Sequence, residues 1–179
     1  MPARKTRKLD AIALLKADHR KVEGLFAKFE KARNAKARQS LAREICTELT
    51  IHTMIEEEIF YPACAREVKE DLRLEAYVEH DGAKVLIAEI EGSSPDDDFY
   101  DAKVKVLSEQ IKHHVKEEEK PGEGLFAQAR KAGLDLDALG EQMAARKDEL
   151  KATFKRSGLP APETRSFTGH DIQQGTLVQ

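Results

Sequence analysis

Residues 52–62 read His52-Thr53-Met54-Ile55-Glu56-Glu57-Glu58-Ile59-Phe60-Tyr61-Pro62. His52 and Glu56 are four positions apart, so on a helix both project from one face. That face is otherwise apolar. Ile45, Leu49, His52, Glu56 and Ile59 recur at steps of three and four, the spacing of a stripe that packs into a core. An imidazole and a carboxylate thus stand where core residues belong. The spacing predicts a helix from about Ala37 to Tyr61, ended by Pro62.

The same pattern extends in both directions. A first helix is predicted from about Asp10 to Ala32, with Ile12, Leu15, His19, Val22, Phe26 and Phe29 on its stripe. A third is predicted from Glu70 to Glu91, carrying Tyr77, His80, Ala83, Ile87 and Ile90. Gly92-Ser93-Ser94-Pro95 breaks the chain. Ser94 suits an N-cap, Pro95 a first helical position, and Asp96, Asp97 and Asp98 the positive end of a macrodipole. A fourth helix is predicted from there to about Lys120, with stripe Val104, Leu107, Ile111, His114 and Glu118. Pro121-Gly122 stops it. A short helical piece at Leu125–Lys131 follows, then Gly133, then a helix from about Asp137 to Phe154 with Leu139, Met143 and Leu150 on one side. That last face is expected to lie against the bundle or a partner. From Arg156 onward Gly, Pro, Thr, Ser and Gln dominate, and no fixed structure is expected.

The chain is therefore read as all-α. A flexible basic N-terminus (1–9) precedes an up-down four-helix bundle (10–122), an additional helical segment (123–155) and an unstructured tail (156–179). Composition agrees. Charged residues make up 35% and aromatics 6%, and the strong helix formers Ala, Leu, Glu, Lys and Arg dominate. A formal net charge of -3 gives no global bias towards nucleic acid, and none is expected as a partner. No apolar run spans a membrane. The basic opening MPARKTRK has no apolar segment after it, so it is read as a solvated terminus and not a secretory signal. Cys46 and Cys64 are read as small packing residues in a reducing cytoplasm.

Each of the four stripes carries a histidine: His19, His52, His80 and His114. Two add a carboxylate one turn later, Glu56 and Glu118. Burying unpaired carboxylates is costly. A cation resolves this by accepting imidazole lone pairs and offsetting the charge. Imidazole with carboxylate suits iron, manganese or zinc better than calcium or magnesium. The spacing also repeats. His52 and His114 are 62 residues apart, as are Glu56 and Glu118, while His19 and His80 are 61 apart. Helices one and two thus map onto three and four, a pseudo-two-fold arrangement for two metals, each approached by two histidines and bridged by two carboxylates.

His52 to Pro62 resembles the second-helix signature of the hemerythrin HHE cation-binding family, bacterial type. Asp18-His19-Arg20, Glu79-His80-Asp81 and His113-His114-Val115-Lys116-Glu117-Glu118-Glu119 resemble its other three. The resemblance covers about residues 10–126. It implies two iron ions under an oxo or hydroxo bridge, with His19, His52, His80 and His114 as terminal ligands and Glu56 and Glu118 as bridging carboxylates. Glu57, Glu58, Glu117 and Glu119 are expected on the solvated side. His113 rivals His114, because Glu117 follows it by four, but Leu107 and Ile111 place His114 on the stripe. His170 is expected to take no part.

The sequence departs from the family pattern in two places. Oxygen-carrying members have a second histidine four residues after the third-helix ligand, where this chain has Lys84. They also have an aspartate five residues after the last histidine, where it has Glu119; Glu118, at four, matches the bacterial branch. Two six-coordinate irons offer roughly a dozen positions, of which these ligands and a bridge fill about ten. The resemblance therefore implies room for an exogenous dioxygen, nitric oxide or peroxide, in stress defence, sensing or iron handling. Pro121 lies three residues after Glu118, which leaves that carboxylate near the last turn of its helix.

Other classes fit less well. A metal-stabilised structural or regulatory module without redox turnover, its partner unknown, is the alternative. Ferritin-like oxidases use Glu-x-x-His pairs, and no histidine here has a glutamate three residues before it. There is no His-Glu-x-x-His run for a zinc hydrolase. Gly122-Glu123-Gly124 reads as a loop.

Overall fold

A computed structural model describes residues 9–169, 173 and 175. MPARKTRK and His170 lie outside the described residues. Helix α1 (Ala11–Lys31) is capped by Asp10, whose side chain accepts from the Ala13 amide, and α2 (Ala35–Ile55) by Asn34, which accepts from the Ala37 amide. α2 does not end at Pro62. It widens into a π-helical turn (Glu56–Phe60) and resumes as α3 (Tyr61–Cys64). Pro62 has no N–H for the helical ladder. The wider turn just before it, closed by the Tyr61 amide donating to the Glu56 carbonyl, carries the chain past that gap.

α4 (Glu70–Glu91) has the expected bounds, but α5 (Tyr100–Glu118) begins later than Ser94-Pro95 predicts. The Asp97 carboxylate accepts from the Ser94 amide at 2.7 Å, and the Asp97 amide donates to the Ser94 carbonyl. This local turn takes the groups a helix start needs. α6 (Leu125–Lys131) follows Gly122, which turns the chain at φ +74°. α7 (Leu136–Ser157) is capped by Asp135, which accepts from the Ala138 amide.

α1 pairs with α2 and α4 with α5; α2 also meets α4, and α1 meets α5, closing the bundle. The apolar core falls into two clusters. One gathers Leu15, Ile51, Ile55, Phe60, Tyr61, Leu125, Phe126 and Met143. The other gathers Val22, Phe26, Ile45, Leu49, Ile87, Val104, Leu107 and Ile111. Along α1, His19 falls between Leu15 of one and Val22 of the other; along α2, His52 falls between Leu49 and Ile55. The polar stripe residues therefore form a layer between two dry halves.

α7 seats on α1, α2 and the π turn. It approaches so closely at Gly140 that a Cβ there would lie 2.5 Å from the Leu9 carbonyl oxygen and 2.8 Å from the Ala11 nitrogen. Residues 158–169, after α7, have no helix or strand, but they do not hang free. The Arg165 and Ser166 amides and the Ser166 hydroxyl all donate to Asp81 Oδ2, at 2.8, 2.6 and 2.7 Å. Lys84 donates to the Glu163 carbonyl at 3.1 Å. Polar anchors hold this stretch where apolar content alone predicted none.

Replacing Gly140 by valine forces backbone apart. Overpacking of this kind costs about 2 kcal/mol. In a chain of this size the Tm is expected to fall by about 4–8 °C, read by circular dichroism, and an unchanged Tm would show that α7 does not depend on this contact.

Candidate metal centre

His19 (α1), His52 (α2), His80 (α4) and His114 (α5) meet in the polar layer with Glu56 and Glu118, all at most 5% exposed. The imidazoles form two pairs. The Nε2 atoms of His19 and His52 are 3.2 Å apart, and so are those of His80 and His114. One oxygen of each carboxylate lies between the pairs. Glu56 Oε2 is 3.2 Å from His52 Nε2 and 3.3 Å from His80 Nε2. Glu118 Oε2 is 3.4 Å from both His19 Nε2 and His114 Nε2. Each acid thus reaches one histidine from either half of the bundle.

The donor set can hold cations. His19, His52, Glu56 and Glu118 each offer an atom within 4.8 Å of the others, and so do Glu56, His80 and His114, with Glu56 common to both groups. Glu56 Oε1 and Glu118 Oε2 are buried without a hydrogen-bond partner. Carboxylate oxygens are rarely left so in a core, and a cation beside them supplies what the protein does not.

Residues 10–121 match the hemerythrin HHE cation binding domain, nearly two thirds of the chain. The chain belongs to the hemerythrin HHE cation-binding family. Its backbone is similar to the crystal structure of a hemerythrin HHE cation binding domain-containing protein from Mycobacterium kansasii, an Rv2633c homologue. The TM-score is 0.71 at 25% identity, covering 84% of this chain and 95% of that one. A curated relative, a DNA nickase from Nostoc sp. (strain PCC 7120), is 30% identical over 117 residues, 65% of this chain. The chain spans 32% of that protein's length.

Around this hemerythrin-type core lies a ring of acids, two of which the sequence reading placed in solvent. His19 Nδ1 is 2.7 Å from Glu119 Oε1, His114 Nδ1 2.7 Å from Glu79 Oε2, and His80 Nδ1 3.1 Å from Glu57 Oε1. Asp18 Oδ2 lies 3.7 Å from His52 Nδ1, a looser contact. A carboxylate at Nδ1 accepts a hydrogen bond from Nδ1–H and leaves the Nε2 lone pair directed inward, the orientation metal binding uses. Glu57 is buried and Glu119 half-buried, contrary to expectation; Glu58 faces out as expected. The ring follows the internal repeat. Asp18 and Glu79 precede the first histidine of each half, while Glu57 and Glu119 follow the two inner glutamates. The same 61- and 62-residue spacing that paired the stripe residues was the signal for them.

Tyr61 is the other residue that periodicity missed. Fully buried, its hydroxyl donates to Glu118 Oε1 at 2.8 Å and lies 3.3 Å from both Glu56 Oε2 and His80 Nε2. In an α-helix Glu56 and Tyr61 point well apart. The i→i+5 bond of the π turn brings them onto one side. Tyr61 also secures Glu118 at the end of α5. Gly124 helps there too, since a Cβ on it would lie 2.5 Å from the Glu118 carbonyl oxygen. Lys84, at the position where oxygen carriers have histidine, bonds Glu57 at 2.8 Å instead.

Charge sets the protonation of the metal-free centre. Burial alone would lower the His52 pKa, but Glu56 and Asp18 outweigh it and push it up to about 10. His114 is raised well above the ordinary imidazole range against its own burial, chiefly by Glu118. Burial and the neighbouring Glu118 charge raise Glu56, yet His52 and His80 hold it down at about 2. Burial, then Glu118 and Glu56, lift the Tyr61 phenol well above its usual range, so it stays a donor.

The linkage has a definite sign. The His52 contribution is fully present below its unfolded value of about 6.5 and is lost as pH rises through about 10. The Glu56 contribution is present above its unfolded value of 4.5 and is lost as pH falls through about 2. Metal-free protein is therefore expected to be most stable near pH 4.5–6.5 and to lose Tm steadily towards pH 10, read in thermal scans. Apparent metal affinity should move the other way, rising with pH as the imidazoles shed protons. A flat Tm over that alkaline range would contradict the assignment. Glu57→Gln should weaken metal retention about 10–100-fold in chelator competition, with both ions of the buried centre still bound at saturation; retention equal to wild type would remove Glu57 from the centre.

Proposed function

We propose that this chain is a non-haem di-iron protein that engages dioxygen, nitric oxide or peroxide in the cytoplasm. The observation that carries the reading is the pairing itself: two imidazole pairs spanned by two carboxylates, with no further inward histidine on the His80 side among the described residues. His19 and His52 would hold one iron, His80 and His114 the other, with Glu56 and Glu118 between them. When bound, such a pair supplies reversible electron transfer to small oxygen and nitrogen species. The chain's own residues do the rest. The outer acids orient the imidazoles, and the Tyr61 hydroxyl, 3.3 Å from Glu56 Oε2 and His80 Nε2, is a proton donor at the centre. The two apolar clusters exclude bulk water.

Size supports a small ligand. The six side chains are buried, and a narrow fissure reaches His114 and Glu118. A cavity of about 490 Å³ lies elsewhere, between α2, α4 and the Leu159–Arg165 strap, and touches the centre only through Glu57. Compartment is part of the proposal. Cys46 and Cys64 are buried unpaired thiols, Cys64 being pushed up to about 12 by burial and the nearby glutamates, so neither is poised for disulfide exchange. No described helix is long and apolar enough to cross a membrane. DNA cleavage is not part of the reading, since the chain shares only a fraction of the nickase's length.

The burial of the centre also favours a second reading, a metal-stabilised structural or regulatory module. Iron-loaded protein should carry two irons in the buried centre, show the optical and Mössbauer signature of a bridged diferric pair, and consume peroxide or bind nitric oxide. Tyr61→Phe should keep both irons and lose at least tenfold in peroxide rate, about 1.4 kcal/mol of barrier. A gain in thermal stability on loading, without reactivity towards any of the three, would overturn the redox reading in favour of the module.

A further inference from the structure

The four outer acids are alike in sequence position and unlike in their outward partners. Asp18 is met by Lys147 of α7. Glu57 is met by Lys84 at 2.8 Å and Arg165 at 3.2 Å. Glu119 is met by Arg20 at 2.9 Å and Lys16 at 3.6 Å. Among the described residues, Glu79 alone has no lysine or arginine partner. Its Oε1 faces His113 Nε2 at 3.3 Å, while its Oε2 holds His114 Nδ1. Glu75, one turn before it on α4, brings a second carboxylate to the same spot. One donor atom from each of Glu75, Glu79 and His113 lies within 4.8 Å of the other two. Where the other three positions have fixed cations, this one has two acids and an imidazole that is 60% exposed.

Two of the three, Glu75 and Glu79, border a narrow fissure that runs to the centre. The narrow fissure is bordered by Glu75, Glu79 and Glu117 towards solvent and by His114 and Glu118 at its buried end. Glu118, 3% exposed, has an oxygen without a hydrogen-bond partner. Glu79 joins the exposed imidazole of His113 to the buried one of His114.

We propose that Glu75, Glu79 and His113 form an outer divalent-cation site at the mouth of the fissure, from which ions pass to the buried centre. Two carboxylates and one imidazole suit Fe²⁺, Mn²⁺ or Zn²⁺, and the exposed position leaves the remaining coordination to water, as a transfer site needs. The outer site stands on its own residues; its role as a loading station rests on the buried centre being a metal site.

The test uses the Glu75→Gln/His113→Ala double variant of the full chain. Both positions are exposed, and neither side chain touches the inner six. Metal-free wild type and variant are equilibrated with Zn²⁺, and ions per chain are counted by elemental analysis. Wild type is expected to take three and the variant two. Fe²⁺ loading at substoichiometric iron, followed optically, is expected to slow at least fivefold in the variant with the same final inner occupancy. Equal Zn²⁺ counts and equal loading rates in the two proteins would overturn the proposal. A wild type that takes one Zn²⁺, lost in the variant, would support the outer site while refuting the buried one. Three ions against two with equal loading rates would keep the outer site and overturn its loading role.

Discussion

Two carboxylates in the middle of the bundle govern the rest of the structure. Glu56 and Glu118 are out of contact with water, and each keeps an oxygen with no hydrogen-bond partner. Taking a carboxylate out of water costs several kcal/mol unless positive charge comes with it. The protein meets this in one of two ways. Without metal, protons on His52 and His114 balance the charge, which is why both imidazoles are raised so far despite burial. In the proposed loaded state those protons would leave and cations would take their place. The facing Nε2 atoms, 3.2 Å apart in each pair, have room for one proton between them but not two. The geometry that crowds two protons is the one that two lone pairs need to share a cation.

The surrounding shell extends this logic outward. Each imidazole has an acid at Nδ1, and three of the four acids have a lysine or arginine beyond. Two of those cations lie outside the matched family domain. Lys147 sits on α7 and Arg165 on the strap that follows it. The C-terminal third is therefore wired to the centre through Asp18 and Glu57. Gly140 lets α7 approach closely enough for this, and Asp81 anchors the strap.

Much of this was legible in the sequence. The step of three and four that marks each stripe is a direct image of a buried helix face, so the helices and the six inward residues could be read from it. α4 and α6 have the expected bounds. What escaped were features that depend on a change of helical period or on tertiary contact. Tyr61 lies off the α-helical stripe and reaches the centre only because the π turn realigns it. Glu57 and Glu119 looked like solvated neighbours because a stripe argument sees one face at a time; their partners are on other helices. The internal repeat was the cue that relates all four outer acids, and it had been applied only to the stripe. The late start of α5 turned on the Asp97 side chain choosing the Ser94 amide, a local competition that capping preferences do not decide. Anchoring of the tail depended on one buried acid, Asp81, some 84 residues away in sequence.

In the proposed holo form two cations meet between the imidazole pairs. Anomalous diffraction at the iron edge from crystals of the loaded chain tests it most directly. Two peaks about 3.5–4 Å apart, one beside His19 and His52 and the other beside His80 and His114, with Glu56 and Glu118 reaching both, are the predicted result. A single peak, or iron only at surface carboxylates with the six buried side chains unchanged, would contradict it.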